Sequence, residues 1–332
     1  MKALVLNKPL SPLVLEERPM PTPERGQAVV QLKAAALNRR DYWIIQDRYP
    51  SMITPIIPGS DGAGVVVKVG AGVDGSWLGK EVIINPGIHW GDDPAAQSDS
   101  FEILGMPRNG TLSEAVVIPA EQLHAKPAHL SWEEAAALPL AGLTAYRALF
   151  SQGRLRNDDQ LLISGVGGGV ATFALLFAVA TGAPVWVTSS ARAKIDHATK
   201  LGAEGGFLYS DEDWPEQAAK QGLRPSLVID SAGGPGFTRL IDVVRPGGRI
   251  VNYGATAGAS EGLNLRKVFW KQMHLIGSTM GSPREFEEML AFVKKHGIKP
   301  VVDRVIPLEK GNDAFDCLAK SSQFGKVVVR IS

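Results

Sequence analysis

Short apolar runs, broken by glycine and proline, dominate the first third of the chain. Lys2–Asn7, Val29–Ala35, Gly64–Val69, Glu81–Ile84 and Leu112–Ile118 are apolar or alternate apolar with polar residues, and Pro19, Pro21, Pro23, Gly26, Pro55, Pro58 and Gly59 punctuate them. That pattern predicts strands, with one short helix near Asn38–Ile45. Residues 87–109 are polar and irregular, too long for a turn, and predict a surface lobe. From about Ser131 the rhythm changes. Ser131 is placed to cap a helix whose first turn carries Glu133 and Glu134. Predicted strands at Leu161–Ser164, Val185–Thr188, Phe207–Tyr209, Leu227–Asp230 and Arg249–Tyr253 then alternate with predicted helices. The helices are Val170–Ala180, Arg192–Leu201, Trp214–Lys220 and Phe237–Val244, and Leu275–Ser278 is a candidate sixth strand. Apolar strands alternating with helices predict an α/β fold with a parallel sheet covered on both faces. The chain closes with a helix at Arg284–His296, a strand at Val301–Pro307, a helix at Gly311–Ala319 and a strand at Lys326–Ile331.

Length favours two domains, since 332 residues exceed what one core usually supports. Hydrophobic residues make up 45% and charged residues 21%, an ordinary soluble balance. The formal net charge is +1 with no basic stripe, which argues against a nucleic-acid partner. The longest apolar run, Val170–Ala180, is well short of the ~20 residues a bilayer needs, and predicts a helix buried on all sides. The apolar start, Met1–Asn7, is too short for a signal peptide. The one cysteine, Cys317, allows no intrachain disulfide and no cysteine-rich zinc site, and is read as a packing residue. A cytoplasmic protein without membrane association is therefore expected.

The strand Leu161–Ser164 runs into Gly165, Val166, Gly167, Gly168, Gly169 and Val170, where a helix begins. Glycines let backbone turn tightly against a pyrophosphate, and the helix start offers free N–H groups to the anion. The strand before, the helix after and the continuing βαβ rhythm make this a dinucleotide loop. An NAD site usually has Asp or Glu at the end of the second strand, for the ribose hydroxyls. Here that end carries Ser189, Ser190, Arg192 and Lys194 and no acid. Two hydroxyls and two cations suit a 2′-phosphate, so NADP(H) is the expected cofactor. The hydrolase-like pattern Gly258-Ala259-Ser260-Glu261-Gly262 lacks the strand–turn–helix it would need and is a chance match. His89 with Asp92 and Asp93 reads as a solvated loop.

With these residues in view the sequence resembles the medium-chain dehydrogenase/reductase superfamily, and within it the zinc-free quinone oxidoreductase-like branch. The stretches that carry the resemblance span nearly the whole chain. They include Ala36-Leu37-Asn38-Arg39-Arg40-Asp41, Ile57-Pro58-Gly59-Ser60-Asp61-Gly62, Leu138-Pro139-Leu140-Ala141-Gly142-Leu143-Thr144, Asp230-Ser231-Ala232-Gly233-Gly234, Arg245-Pro246-Gly247-Gly248 and Gly325-Lys326-Val327-Val328. The resemblance implies a GroES-like β-rich domain from residues 1–125 and 281–332, and an NADP(H)-binding Rossmann-type, doubly wound domain from 126–280, with substrate in the cleft between them. Where zinc-dependent relatives hold their catalytic metal by Cys, His and Cys, this chain has Asn38, Ser60 and Leu140. The lobe at 87–109 lacks the cysteines of a structural zinc, so no zinc is expected at either place. Thr144 and Pro139, with Asn38 and Lys326, match positions near the nicotinamide. Tyr209 matches one near the adenosine phosphate, and Ser231, Gly233 and Gly254 match loops after the fourth and fifth strands. The implied activity is hydride transfer from NADPH to a quinone or an α,β-unsaturated carbonyl. Asn38 or Ser60 would steady the oxyanion, and Tyr42 or a water would supply the proton. A zinc-free aldehyde or ketone reductase and a non-catalytic NADPH-binding protein are the alternatives. The resemblance also implies a homodimer through an edge of the nucleotide-domain sheet.

Overall fold

The strand Gln27–Ala36 is the spine of the first sheet, because its alternate residues Ala28, Val30, Leu32 and Ala34 are all fully buried. One of its edges pairs antiparallel with Asp61–Val69. The other edge is shared: Ala115–Pro119 covers Gln27–Gln31, and the C-terminal strand Lys326–Arg330 covers Ala34–Ala36. Val302–Pro307 flanks the C-terminal strand, while Glu81–Ile84 and Leu123–Ala125 extend the far side. The computed structural model describes residues 1–50 and 52–332. Two compact units divide the chain, Met1–Ala141 with Gly281–Ser332, and Gly142–Met280. The first unit thus runs past residue 125 and takes in the helix Trp132–Ala137, which is capped by Ser131.

The second unit is built on six parallel strands. Their spatial order is Gly205–Leu208, Val185–Ser189, Leu161–Ile163, Leu227–Asp230, Arg249–Asn252 and His274–Gly277. The order runs outward in both directions from Leu161–Ile163, which makes the sheet doubly wound. The apolar helix Gly169–Ala180 buries Ala171 through Leu175, Phe177 and Ala178, as a helix without a polar face must. No helix of the described residues is long and apolar enough to cross a membrane.

Several elements lie outside the expected pattern. The lobe at 87–109 contains a small hairpin, Gly87–Ile88 with Glu102–Ile103. Pro139–Tyr146 is a helix that continues as a π-helical turn over Arg147–Gln152. Its run Leu138–Tyr146 has almost no polar positions, so no period marked it as helical. A further short helix, Leu265–Trp270, is capped by Asn264. The strand expected from Leu112 begins only at Ala115, because Leu112 bonds to Pro58 and Leu4 instead.

Candidate functional site

Two groups of residues matter, one in each unit. In the second, the loop after Leu161–Ile163 turns through Gly165 at φ +68° and Gly167 at φ +125°. L side chains rarely adopt that region. A Cβ at Gly167 would lie 2.9 Å from Lys194 Cδ and 3.3 Å from its Nζ, so the lysine side chain would have to shift. The Lys194 ammonium therefore stands beside the glycine loop. Gly168 is the N-cap of the helix Gly169–Ala180 and a Cβ on it would meet nothing within 4 Å. No side chain caps this helix, so the N–H groups of its first turn, from Gly169 and Val170 onward, are left for an anion.

The end of the second strand pins the loop. Gly165 N–H donates to Thr188 Oγ1 (3.1 Å), and Val166 N–H to the Thr188 carbonyl (2.8 Å). Ser189 is buried and turns its hydroxyl to the Val166 carbonyl (3.3 Å), whereas Ser190 and Arg192 are exposed. Tyr209 leaves its ring about half exposed while its N–H bonds to Ser189 (3.1 Å). Gly254 packs so closely on the loop after Leu227–Asp230 that a Cβ would lie 2.9 Å from the Ser231 carbonyl. Burial pushes the Tyr253 phenol up, with the Ser231 hydroxyl pulling the other way. Thr144 is buried in the helix Pro139–Tyr146, its hydroxyl 4.0 Å from Met280 Sδ. The roles of Thr188 and Ser164 depend on partners 23 and 66 residues away, which no local pattern shows.

In the first unit three chain segments converge on a buried polar cluster. Asn38 follows the spine strand, Asp61 pairs with Ala36 at the strand's end, and Lys326 opens the C-terminal strand. Leu37 N–H to the Val327 carbonyl (3.0 Å) zips the last of these alongside. Lys326 Nζ donates to Asn38 Oδ1 (2.6 Å) and to Asp61 Oδ2 (2.9 Å). Asn38 Nδ2 donates to Asp61 Oδ2 (2.8 Å), and Leu140 N–H to Asp61 Oδ1 (2.8 Å). Asn38, Asp61 and Lys326 are 8%, 0% and 2% exposed. Ser60 is also buried and accepts from Arg40 Nη1 (2.6 Å), which donates to the Leu104 carbonyl too (2.9 Å). Gly110 packs tightly against the residue before Ser60, since a Cβ on it would collide with the Gly59 carbonyl. The structure thus joins Asn38 and Lys326 directly and puts Ser60 under Arg40. Tyr42 stays apart: its ring packs on the core around Leu4 and Phe315 with the Arg39 guanidinium 5.7 Å away. Its hydroxyl makes no hydrogen bond to Asn38 or Ser60 among the described residues. That Asp61 is the hub and Arg40 the clamp was not legible in the sequence.

Asp41 adds a titrating group. It accepts from Asn38 N–H (2.7 Å) through Oδ2, and Oδ1 is left without a hydrogen bond. Burial raises its carboxyl from 3.8 to about 6, with Arg40 opposing. The folded state therefore holds a proton that the unfolded state has released between those values. Stability from this group falls as pH rises through that window, by about 3 kcal/mol in full. Asp41→Asn is expected to remove this slope. Urea denaturation at pH 4 and pH 7 should show the variant gaining on the wild type at the higher pH; a difference independent of pH would refute the assignment.

A doubly wound parallel sheet with an uncapped, glycine-entered helix at the carboxyl end of its strands defines a dinucleotide-binding unit. The chain belongs to the medium-chain dehydrogenase/reductase superfamily of oxidoreductases. Residues 24–128 match the alcohol dehydrogenase GroES-like domain, and residues 169–295 the zinc-binding dehydrogenase domain. Among curated relatives, "Zinc-type alcohol dehydrogenase-like protein YogA" of Leptosphaeria maculans is 37% identical, over 96% of this chain and 95% of its own. "Acryloyl-coenzyme A reductase" of Sulfurisphaera tokodaii is 28% identical over 99% and 100%. A solved structure titled as an NAD-dependent alcohol dehydrogenase superposes with a TM-score of 0.94 at 36% identity, covering 100% of both chains.

Proposed function

We propose that the chain is a zinc-independent, NADPH-dependent reductase of electron-poor acceptors, α,β-unsaturated carbonyls first and quinones second. The observation that carries the cofactor choice is the Lys194 ammonium beside Gly167, with no carboxylate at the end of Val185–Ser189. The loop N–H groups take the pyrophosphate, Lys194 the 2′-phosphate, and Arg192 and Ser190 stand exposed at the same helix start. Bound NADPH supplies the hydride from its nicotinamide ring. Thr144, Ser231 and Gly254 are assigned to its nicotinamide half.

The residues at the family's metal position do not fit zinc. Asn38 Oδ1 already accepts from the Lys326 ammonium, Ser60 Oγ accepts from the Arg40 guanidinium, and Leu140 has no donor atom on its side chain. A divalent cation there would face two cations and no thiolate or imidazole. Without a Lewis acid, acceptors that are already electron-poor need the least help, and fixed geometry supplies much of the remainder. The name of the acryloyl-CoA reductase relative points to the same acceptor chemistry. Asn38 is the most exposed member of the cluster and keeps a second amide N–H for a developing oxyanion. Arg40 can only donate, so the Ser60 hydroxyl proton is directed elsewhere and can assist. With Tyr42 packed on the core, water is the favoured proton source.

The test is a fluorescence titration of NADPH and NADH against wild type and Lys194→Ala. Turnover is then measured on an enoyl thioester, an enone, a quinone and a simple ketone, with and without chelator. NADPH binding that weakens at least tenfold in the variant, with NADH unchanged and chelator without effect, supports the reading. NADH binding as tightly as NADPH, or activity lost to chelator, overturns it. Turnover of the ketone alone selects the carbonyl reductase, and binding without turnover the non-catalytic protein. The same reading includes a homodimer paired along the edge strand His274–Gly277.

A further inference from the structure

Strand order divides the nucleotide site about its glycine loop. On one flank lies Val185–Ser189, followed by Lys194; on the other lie the ends of Leu227–Asp230 and Arg249–Asn252. A dinucleotide with its pyrophosphate on the loop and its 2′-phosphate at Lys194 carries its nicotinamide half over the second flank. Asp230 sits there, 1% exposed. Its carboxylate accepts the Ser164 hydroxyl through Oδ1. Oδ2 accepts Gly233 N–H (2.9 Å) and Asn252 Nδ2 (2.8 Å), and that amide also donates to the Gly254 carbonyl (2.8 Å). Because Ser164 precedes Gly165, one side chain ties the glycine loop to both loops of the nicotinamide flank.

Every one of these partners is neutral. No cationic side chain pairs with Asp230 among the described residues. A neutral amide could hold the same three loops, and burying a carboxylate away from a cation is the costlier choice. A fixed charge matters where a neighbour changes its own charge. The nicotinamide ring does so, being cationic when oxidised and neutral when reduced.

We infer that Asp230 is a positioning residue whose negative charge also biases the bound cofactor toward its oxidised form, making bound NADPH the stronger hydride donor. The inference rests on the dinucleotide reading above. Asp230→Asn tests it, because the amide oxygen still accepts from Gly233 and Asn252 while its NH₂ faces Ser164 Oγ, which can accept. Direct titration with NADP⁺ and NADPH is expected to show the ratio of their dissociation constants, oxidised over reduced, rising about tenfold. That shift raises the potential of the bound couple by about 30 mV. Ser164→Ala cuts the tie to the glycine loop without altering charge, so it should weaken both forms by one factor and leave the ratio alone. A ratio unchanged in Asp230→Asn overturns the inference, whether both affinities fall or neither does. Wild type that binds neither nucleotide overturns the dinucleotide reading instead, and this inference with it.

Discussion

Lys326→Met is expected to destabilise the first unit by about 3–5 kcal/mol, since it leaves Asp61 buried without its cation. Asp61 is fully buried and would keep only Asn38 Nδ2 and the Leu140 N–H. Methionine matches the lysine stem in length, so packing is largely retained and the loss is electrostatic. Adding Asp61→Asn to Lys326→Met removes the orphaned charge and should recover most of the stability. Denaturation midpoints for the two single variants and the double variant measure this coupling directly. A single Lys326→Met variant within 1 kcal/mol of wild type would mean that the ammonium does not sustain the Asp61 charge.

The second large effect concerns assembly. His274–Gly277 ends the six-stranded sheet and, among the described residues, leaves one row of backbone groups without a strand partner, a template for another strand. The helix Leu265–Trp270 just before it in the chain carries Trp270 at 82% exposure and Phe269 and Leu265 at 65% each, and Leu275 within the strand is 38% exposed. These side chains are absent from the unit's apolar core, which is formed by residues such as Phe207, Trp214, Leu240 and Ile250. Replacing Trp270 and Leu275 together by glutamate should therefore leave the fold intact. Like charges brought together across a twofold axis would weaken a homodimer at least a hundredfold. Sedimentation should show a dimer for wild type and a monomer for the variant, while the melting curve stays cooperative. A monomeric wild type would remove the homodimer from the proposal.

Local chemistry made much of the architecture readable. The strand Leu161–Ile163, the glycine turn and the helix after it were legible because each needs only neighbouring residues: apolar alternation, φ-permissive glycine, an apolar run. The capping serine Ser131 announced its helix, and Glu81–Ile84, Trp214–Lys220 and Leu227–Asp230 fell where the pattern put them. Runs without a period were not legible, as Pro139–Tyr146 shows, and neither was the hairpin inside the polar lobe.

What the sequence by itself determined was the α/β class, the dinucleotide loop and the missing acid at the second strand, since each is written in runs of neighbouring residues. The tertiary structure alone decided which polar groups meet. Asp61 and Lys326 are 265 residues apart, and Ser164 and Asp230 are 66 apart. Only strand pairing brings them within hydrogen-bond reach. It turned Ser189 inward onto Val166 and left Tyr42 on the apolar core. Side-chain chemistry names the groups that can bond, but burial and register select the pairs, because a buried polar atom must take whichever partner the backbone sets beside it.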